Sequence, residues 1–186
     1  MTAEEFAKRL AELPDGGRWV ELVGGRLHTL DPPDTAHGTT VLNLSKALAS
    51  HLQAIAGSVA GYACFDLGLV VARDPDTVHF PAMCFFTDGR RFLHTDDLFT
   101  DVAPALVVEI AATNSRRHGL AGRVELYHNS GVEVVWVIDP VDELIHVLRR
   151  GCGPQTLSSE QSLHGEPVLC GFRINVGELF AEPAWW

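Results

Sequence analysis

Positive charge is scarce in this chain. Lys and Arg number 14 against 24 Asp and Glu, giving a formal net charge of −10 at neutral pH. That sign excludes a protein that holds nucleic acid by bulk attraction, because phosphate affinity comes from cations that displace counterions. A nucleic-acid partner would have to be met by a local basic strip or through a bound metal. Cysteine is thin too: Cys64, Cys84, Cys152 and Cys170 stand far apart, with no C-x-x-C and no histidine at ligand spacing. This excludes a zinc site or a disulfide frame and predicts reduced core residues in a cytoplasm. No apolar run approaches the about 20 residues that a bilayer span needs, so no membrane contact is expected. Residues 1–13 mix Glu, Lys and Arg with apolar positions, which does not read as a signal peptide.

What is present suits a folded chain. Hydrophobic residues make up 46% and charged residues 20% of the 186, which excludes a disordered chain and predicts one domain over 1–186. Thr2 and Glu5 have the spacing of a capping box, and Phe6, Leu10 and Leu13 follow at helical intervals. W-V-E-L-V and R-L-H-T-L flank Gly24-Gly25, the signature of a β-hairpin. Asp34 or Thr35 is placed to cap a long helix through Val41, Leu44, Leu48, Leu52 and Ile55, closed by Gly57.

Residues 61–72 and 77–86 read as two strands around an Asp-Pro-Asp turn, with Pro81 marking an edge, a strand end or a bulge. Residues 92–100 read as a surface loop or short helix. The spacing of Leu120, Val124 and Tyr127 predicts a helix over 115–129. Val132–Asp139 is a buried strand that Leu144–Leu148 pairs with, and weaker strands follow to Leu169. Asn175 with Glu178 caps a last turn, leaving Trp185 and Trp186 free to cover an apolar patch or to form a dimer contact. The order predicts one mixed sheet carrying helices, an α/β or α+β domain.

Two acids stand out. Glu109 sits inside A-L-V-V-E-I, a β-branched run suited to a strand buried on both faces. A carboxylate there costs several kcal/mol unless a cation, a donor or water meets it. It either pairs with a neighbouring arginine or holds a ligand. Glu21 shares a strand face with Trp19 and Val23, which is odd for a solvated acid. His37, in the first turn of the long helix, is a weaker candidate. Arg116, Arg117 and His118 form a basic run that either meets phosphates or is an exposed helix start.

Taken in order, T-A-E-E-F, W-V-E-L-V-G-G-R-L, P-P-D-T-A-H, A-L-V-V-E-I, Y-H-N-S-G-V-E-V-V-W-V-I-D-P and N-V-G-E-L-F resemble the Uma2 family nearly end to end. The resemblance implies a restriction-endonuclease-like fold of the PD-(D/E)XK superfamily, a mixed β-sheet flanked by helices with an N-terminal helix and hairpin. It implies a DNA endonuclease in which two carboxylates hold Mg²⁺ or Mn²⁺ and activate a water, with a lysine beside it. Glu109 then carries the metal, Glu21 flanks it, Arg123 stands at the lysine position four before Tyr127, and His37, Arg116 and Arg117 face DNA.

The chain departs from that pattern. The Pro-Asp pair reads Pro81-Ala82, the lysine reads Arg123, Ser-Pro reads Ala112-Thr113, and an acid one turn before the lysine reads Gly119. Alanine cannot ligate a metal, and arginine is a poor proton donor or acceptor. Asp66 is the nearest substitute ligand. Ala82 is either natural divergence or an engineered inactivating substitution, and the number of other departures favours the first. Three uses stay open: an endonuclease with a weakened or relocated site, an inactive nuclease-fold module that binds protein or nucleic acid, or a domain whose two acids are structural.

Overall fold

A computed structural model describes residues 1–55, 61–88 and 98–183. Helix α1 (Ala3–Arg9) opens on the expected capping box, Thr2 accepting from Glu5 N–H while Glu5 reaches back. It packs Ala3 and Phe6 against Val20 and Leu22 of β1 (Val20–Val23). The two-glycine turn joins β1 to β2 (Arg26–Thr29), and Glu21 registers against His28. Asp34 caps α2 (Thr35–Ala54), which ends before Gly57, a residue outside those described.

The two strands expected over 61–72 and 77–86 each break in the middle and change sheets. The first becomes β3 (Tyr62–Cys64) and β4 (Gly68–Ala72), the second β5 (Thr77–His79) and β6 (Met83–Phe86). The breaks have local causes. Asp66 adopts φ 56°, outside any strand, and Pro81 lacks the N–H that a central strand must donate. The pair therefore bends as a unit. β4 and β5 join β1, β2 and β7 (Phe99–Thr100) in a five-stranded sheet ordered β2-β1-β5-β4-β7. β3 and β6 join the other sheet.

That second sheet runs β11-β10-β9-β8-β6-β3, with β8 (Leu106–Ile110), β9 (Val134–Asp139), β10 (Leu144–Arg149) and β11 (Gln155–Ser158). A ribbon of β12 (Ser162–His164) and β13 (Arg173–Asn175) leads to α5 (Val176–Phe180), capped by Asn175. The α+β class thus holds, with the expected mixed sheet resolved into two sheets and a ribbon. Residues 92–100 lie mostly outside those described, and Trp185 and Trp186 lie outside them entirely. Of the four cysteines expected in the core, Cys84 is buried and Cys64 half-buried, whereas Cys152 and Cys170 are exposed because both fall in turns between the strands.

The central strands of the six-stranded sheet, β6, β8 and β9, are buried on both faces, which explains their unbroken apolar runs. Met83, Phe85, Leu106, Val108, Trp136 and Ile138 face α2 and its Leu44 and Leu48. Cys84, Val107, Val135 and Val137 face the opposite way, toward Val124 and Tyr127. Those last two belong to α4 (Leu120–Asn129). The helix expected over 115–129 is in fact two, because Gly119 at φ 76° separates α3 (Asn114–Arg117) from α4. A left-handed residue ends one helix and re-aims the next. Among the described residues, no helix is long and apolar enough to cross a membrane.

Candidate functional site

Alternation along β8 decides where Glu109 points. Leu106, Val108 and Ile110 fill the α2 side, so Glu109 joins Val107 on the side covered by α4. There it is 2% exposed. Arg123 and Tyr127 stand one turn apart on α4, a spacing that puts both on one helix face. Arg123 donates to Glu109 Oε1 through Nε at 3.1 Å and Nη2 at 2.7 Å. The Tyr127 hydroxyl, fully buried, donates a short hydrogen bond to the same oxygen.

Glu21 arrives from the other sheet. With Val20 and Leu22 turned into the core around Phe6, its side chain emerges on the opposite face of β1. Arg123 meets it in a fork, Nη1 to Oε2 at 2.5 Å and Nη2 to Oε1 at 3.0 Å. The Phe80 N–H donates to Glu21 Oε1 at 2.9 Å. One guanidinium thus bridges two buried carboxyl groups. Bidentate, charge-assisted geometry of this kind is the strong form of an arginine–carboxylate contact.

The protonation of the surrounding groups follows from the same geometry. Burial alone would lower the pKa of Arg123, but Glu109, Tyr127 and Glu21 hold it well above its ordinary value. It stays charged. Burial lifts the Tyr127 phenol well above its ordinary range, so it remains a donor. His79 on β5 packs edge-on to the Tyr127 ring, with centroids 5.7 Å apart. Burial first, then the Arg123 charge, lower its pKa to about 3, so it is neutral at physiological pH. Its buried Nδ1 has no hydrogen-bond partner among the described residues.

Glu21, His79, Glu109 and Arg123 form the floor of a cavity of about 530 Å³, whose walls include His28, Leu30, Arg116, His118 and Leu126. Glu109 therefore pairs with an arginine, as the first reading of the sequence expects, and it does so at the edge of a cleft. The hairpin is tied to the far wall by the Asp31 N–H donating to Ser115 Oγ at 3.1 Å. Thr113 caps α3 by accepting from the Arg116 N–H. The Arg116 guanidinium has no acid paired to it among the described residues, and its buried Nε has no acceptor.

The remaining candidates scatter from this floor. Arg117, expected beside Arg116, turns away to donate Nε to the Ala111 carbonyl at 3.0 Å and to pair with Asp139. His37 lines a second cavity of about 450 Å³ together with Asp66, Ala82 and Arg116. Burial and the Arg116 charge lower its pKa, with Asp34, Glu109 and Asp66 opposing. The sequence marks Tyr127 only as a core residue and does not mark His79 at all. Its signal was a histidine alternating with Val78 inside a short strand.

The residues present do not fit a divalent cation. The Arg123 guanidinium already sits between the two carboxyl groups that would have to turn toward a metal. Position 82, half-buried against the α2 core, offers a methyl group. Asp66 reaches the cavity beside Ala82 but does not line the one that holds Glu109. Among the described residues, no group of three or more His, Cys, Asp or Glu is gathered as a metal site.

The sequence profile of the Uma2 family, described as "Putative restriction endonuclease", matches residues 3–177. Among solved structures, the chain is similar to one described as "a putative nuclease belonging to DUF820" from Anabaena variabilis. The TM-score is 0.76 and the identity 16%, over 97% of this chain and 97% of that one. At that identity the likeness is one of fold. No curated protein matches the chain.

Proposed function

The chain belongs to the Uma2 family, and from that premise we propose that it is a nuclease-fold domain that binds a nucleic-acid phosphodiester without hydrolysing it. The observation that carries this reading is the Arg123 bridge between Glu21 and Glu109. A centre built to activate water on a metal needs carboxylate oxygens that are free to turn toward the ion. Here one arginine takes both acids, and the second ligand position is Ala82. Losing a carboxylate's share of transition-state stabilisation, on the order of 3–4 kcal/mol, lowers the rate by roughly 10²–10³.

Binding asks for less. Arg116 stands over the cleft with no acid to neutralise it among the described residues. Guanidinium is suited to grip a phosphate by two parallel hydrogen bonds. His28 and His118 line the same walls and bring further ring nitrogens that can hydrogen-bond a phosphate. This is the local basic strip that a chain of net charge −10 requires if it is to meet DNA or RNA.

Plasmid cleavage in Mn²⁺ tests the reading alongside DNA binding. The parent chain should nick no more than Glu109→Ala does, yet should shift labelled DNA, and Arg116→Ala should weaken the shift. The double variant Ala82→Asp, Arg123→Lys should gain cleavage. Nicking by the parent that Glu109→Ala removes would contradict the account.

A further inference from the structure

The cleft does not end at Arg116. This side chain is shared between the carboxylate cavity and the second cavity, the one lined by His37 and Ala82. A third cavity of about 790 Å³ shares Arg18, Trp19, Phe65, Asp66 and Phe80 with the second. The three adjoin in series, the first and second meeting at Arg116 alone and the second and third along five shared side chains. Along this trough the character of the walls changes. The first cavity presents the Arg123-bridged carboxyl groups, the junction presents the Arg116 cation, and the far part presents aromatic rings with Arg18 beside them.

Phe65 is 37% exposed, a large ring left in solvent at the bend where β3 gives way to β4. Trp19, just ahead of β1, is half-buried beside it. Neither ring lies in the pocket that the bridged acids form. Cations next to unfilled aromatic faces are what a strand of unpaired nucleotides needs, since bases stack on rings while arginines track the phosphates. A duplex offers no such base faces, because each is covered by the next pair. A chain of net charge −10 also has little bulk attraction for a duplex, so stacking has to supply what charge does not.

We propose that this trough takes a single strand of nucleic acid, with a phosphate on Arg116 and bases on Phe65 and Trp19. The inference rests on the nucleic-acid reading above and names the form of its ligand. Asp66, in the same walls, repels phosphate and accepts hydrogen bonds, which suits the amino edge of a stacked base. His37, whose buried Nδ1 lacks a partner among the described residues, offers a second polar contact in the middle cavity.

Fluorescence anisotropy with the full chain decides it, using a labelled oligothymidylate and the same strand paired with oligoadenylate at low salt. The single strand should bind about tenfold tighter or more than the duplex. Phe65→Leu should weaken single-strand binding about tenfold, and Phe65→Trp should retain it. Because the ring is exposed, both variants should melt like the parent, which separates lost stacking from lost fold. Equal affinity for both forms, or no effect of Phe65→Leu, overturns the single-strand proposal alone. Binding of neither form overturns this proposal together with the reading it rests on.

Discussion

Arg123 holds Glu21 across 102 positions of sequence by a two-pronged contact, Nη1 to Oε2 at 2.5 Å and Nη2 to Oε1 at 3.0 Å. It thereby ties β1 of the five-stranded sheet to α4, the helix packed on the six-stranded one. The same guanidinium holds Glu109. Contacts that link two sheets through one side chain make that side chain costly to lose.

Replacing Arg123 with Met should therefore destabilise the protein by about 3–5 kcal/mol, since it leaves two buried acids facing each other uncompensated. Urea unfolding at neutral pH measures this. The triple variant Glu21→Gln, Glu109→Gln, Arg123→Met should recover most of the loss, because the penalty lies in unpaired charge. If the single variant unfolds like the parent, the bridge is not formed in solution.

Tyr127 and Glu109 should show strong coupling. The phenol donates to Glu109 Oε1 inside the core, and a hydrogen bond to a charged group contributes about 1.5–3 kcal/mol. A double-mutant cycle of Tyr127→Phe and Glu109→Gln should return an interaction energy in that range. A value near zero would mean that Tyr127 serves only to fill space.

His79 sets a pH dependence whose sign follows from its depressed pKa. The folded protein takes up a proton on this residue only near pH 3, whereas the unfolded chain does so near its ordinary value of 6.5. Between those values the unfolded state binds the extra proton, so stability falls as pH falls, by about 1.4 kcal/mol per pH unit. Acidification from pH 6.5 to 5 should thus cost about 2 kcal/mol through His79. The shift of His37 acts in the same direction. His79→Gln should flatten the curve over this window, as read by denaturant midpoints at several pH values. An unchanged slope would place the titration elsewhere.

Arg116 should govern the salt dependence of nucleic-acid binding. Removing one phosphate contact weakens binding across sequences and lowers the slope of log affinity against log salt by about 1. Arg117→Ala should leave that slope unchanged, because its guanidinium is engaged by Ala111 and Asp139.

The two acids at the centre of this site could be read directly from the chain. Glu109 interrupts a β-branched run and Glu21 breaks the apolar face of a hairpin strand, so burial without a partner was implausible for either. The partner was harder to see. Arg123 falls on α4 at a position that only the family resemblance singled out, since an arginine on a helix usually faces solvent. The break of two strands into four had local signals in Asp66 and Pro81, yet which sheet each half would join depends on long-range pairing. His79 was invisible for a related reason: its environment is assembled from β5 and α4, which are distant in sequence. The split between Arg116 and Arg117 turns on the short α3 and the acid at the end of β9, neither of which a run of like charges reveals.

Isothermal titration of Mn²⁺ into the metal-free protein tests the central claim most directly. If Arg123 occupies the place between Glu21 and Glu109, the parent should show no stoichiometric binding at micromolar metal, and Ala82→Asp with Arg123→Lys should create it. Stoichiometric micromolar binding by the parent, lost in Glu109→Ala, would show that the acids take a metal in spite of the arginine and would contradict the account.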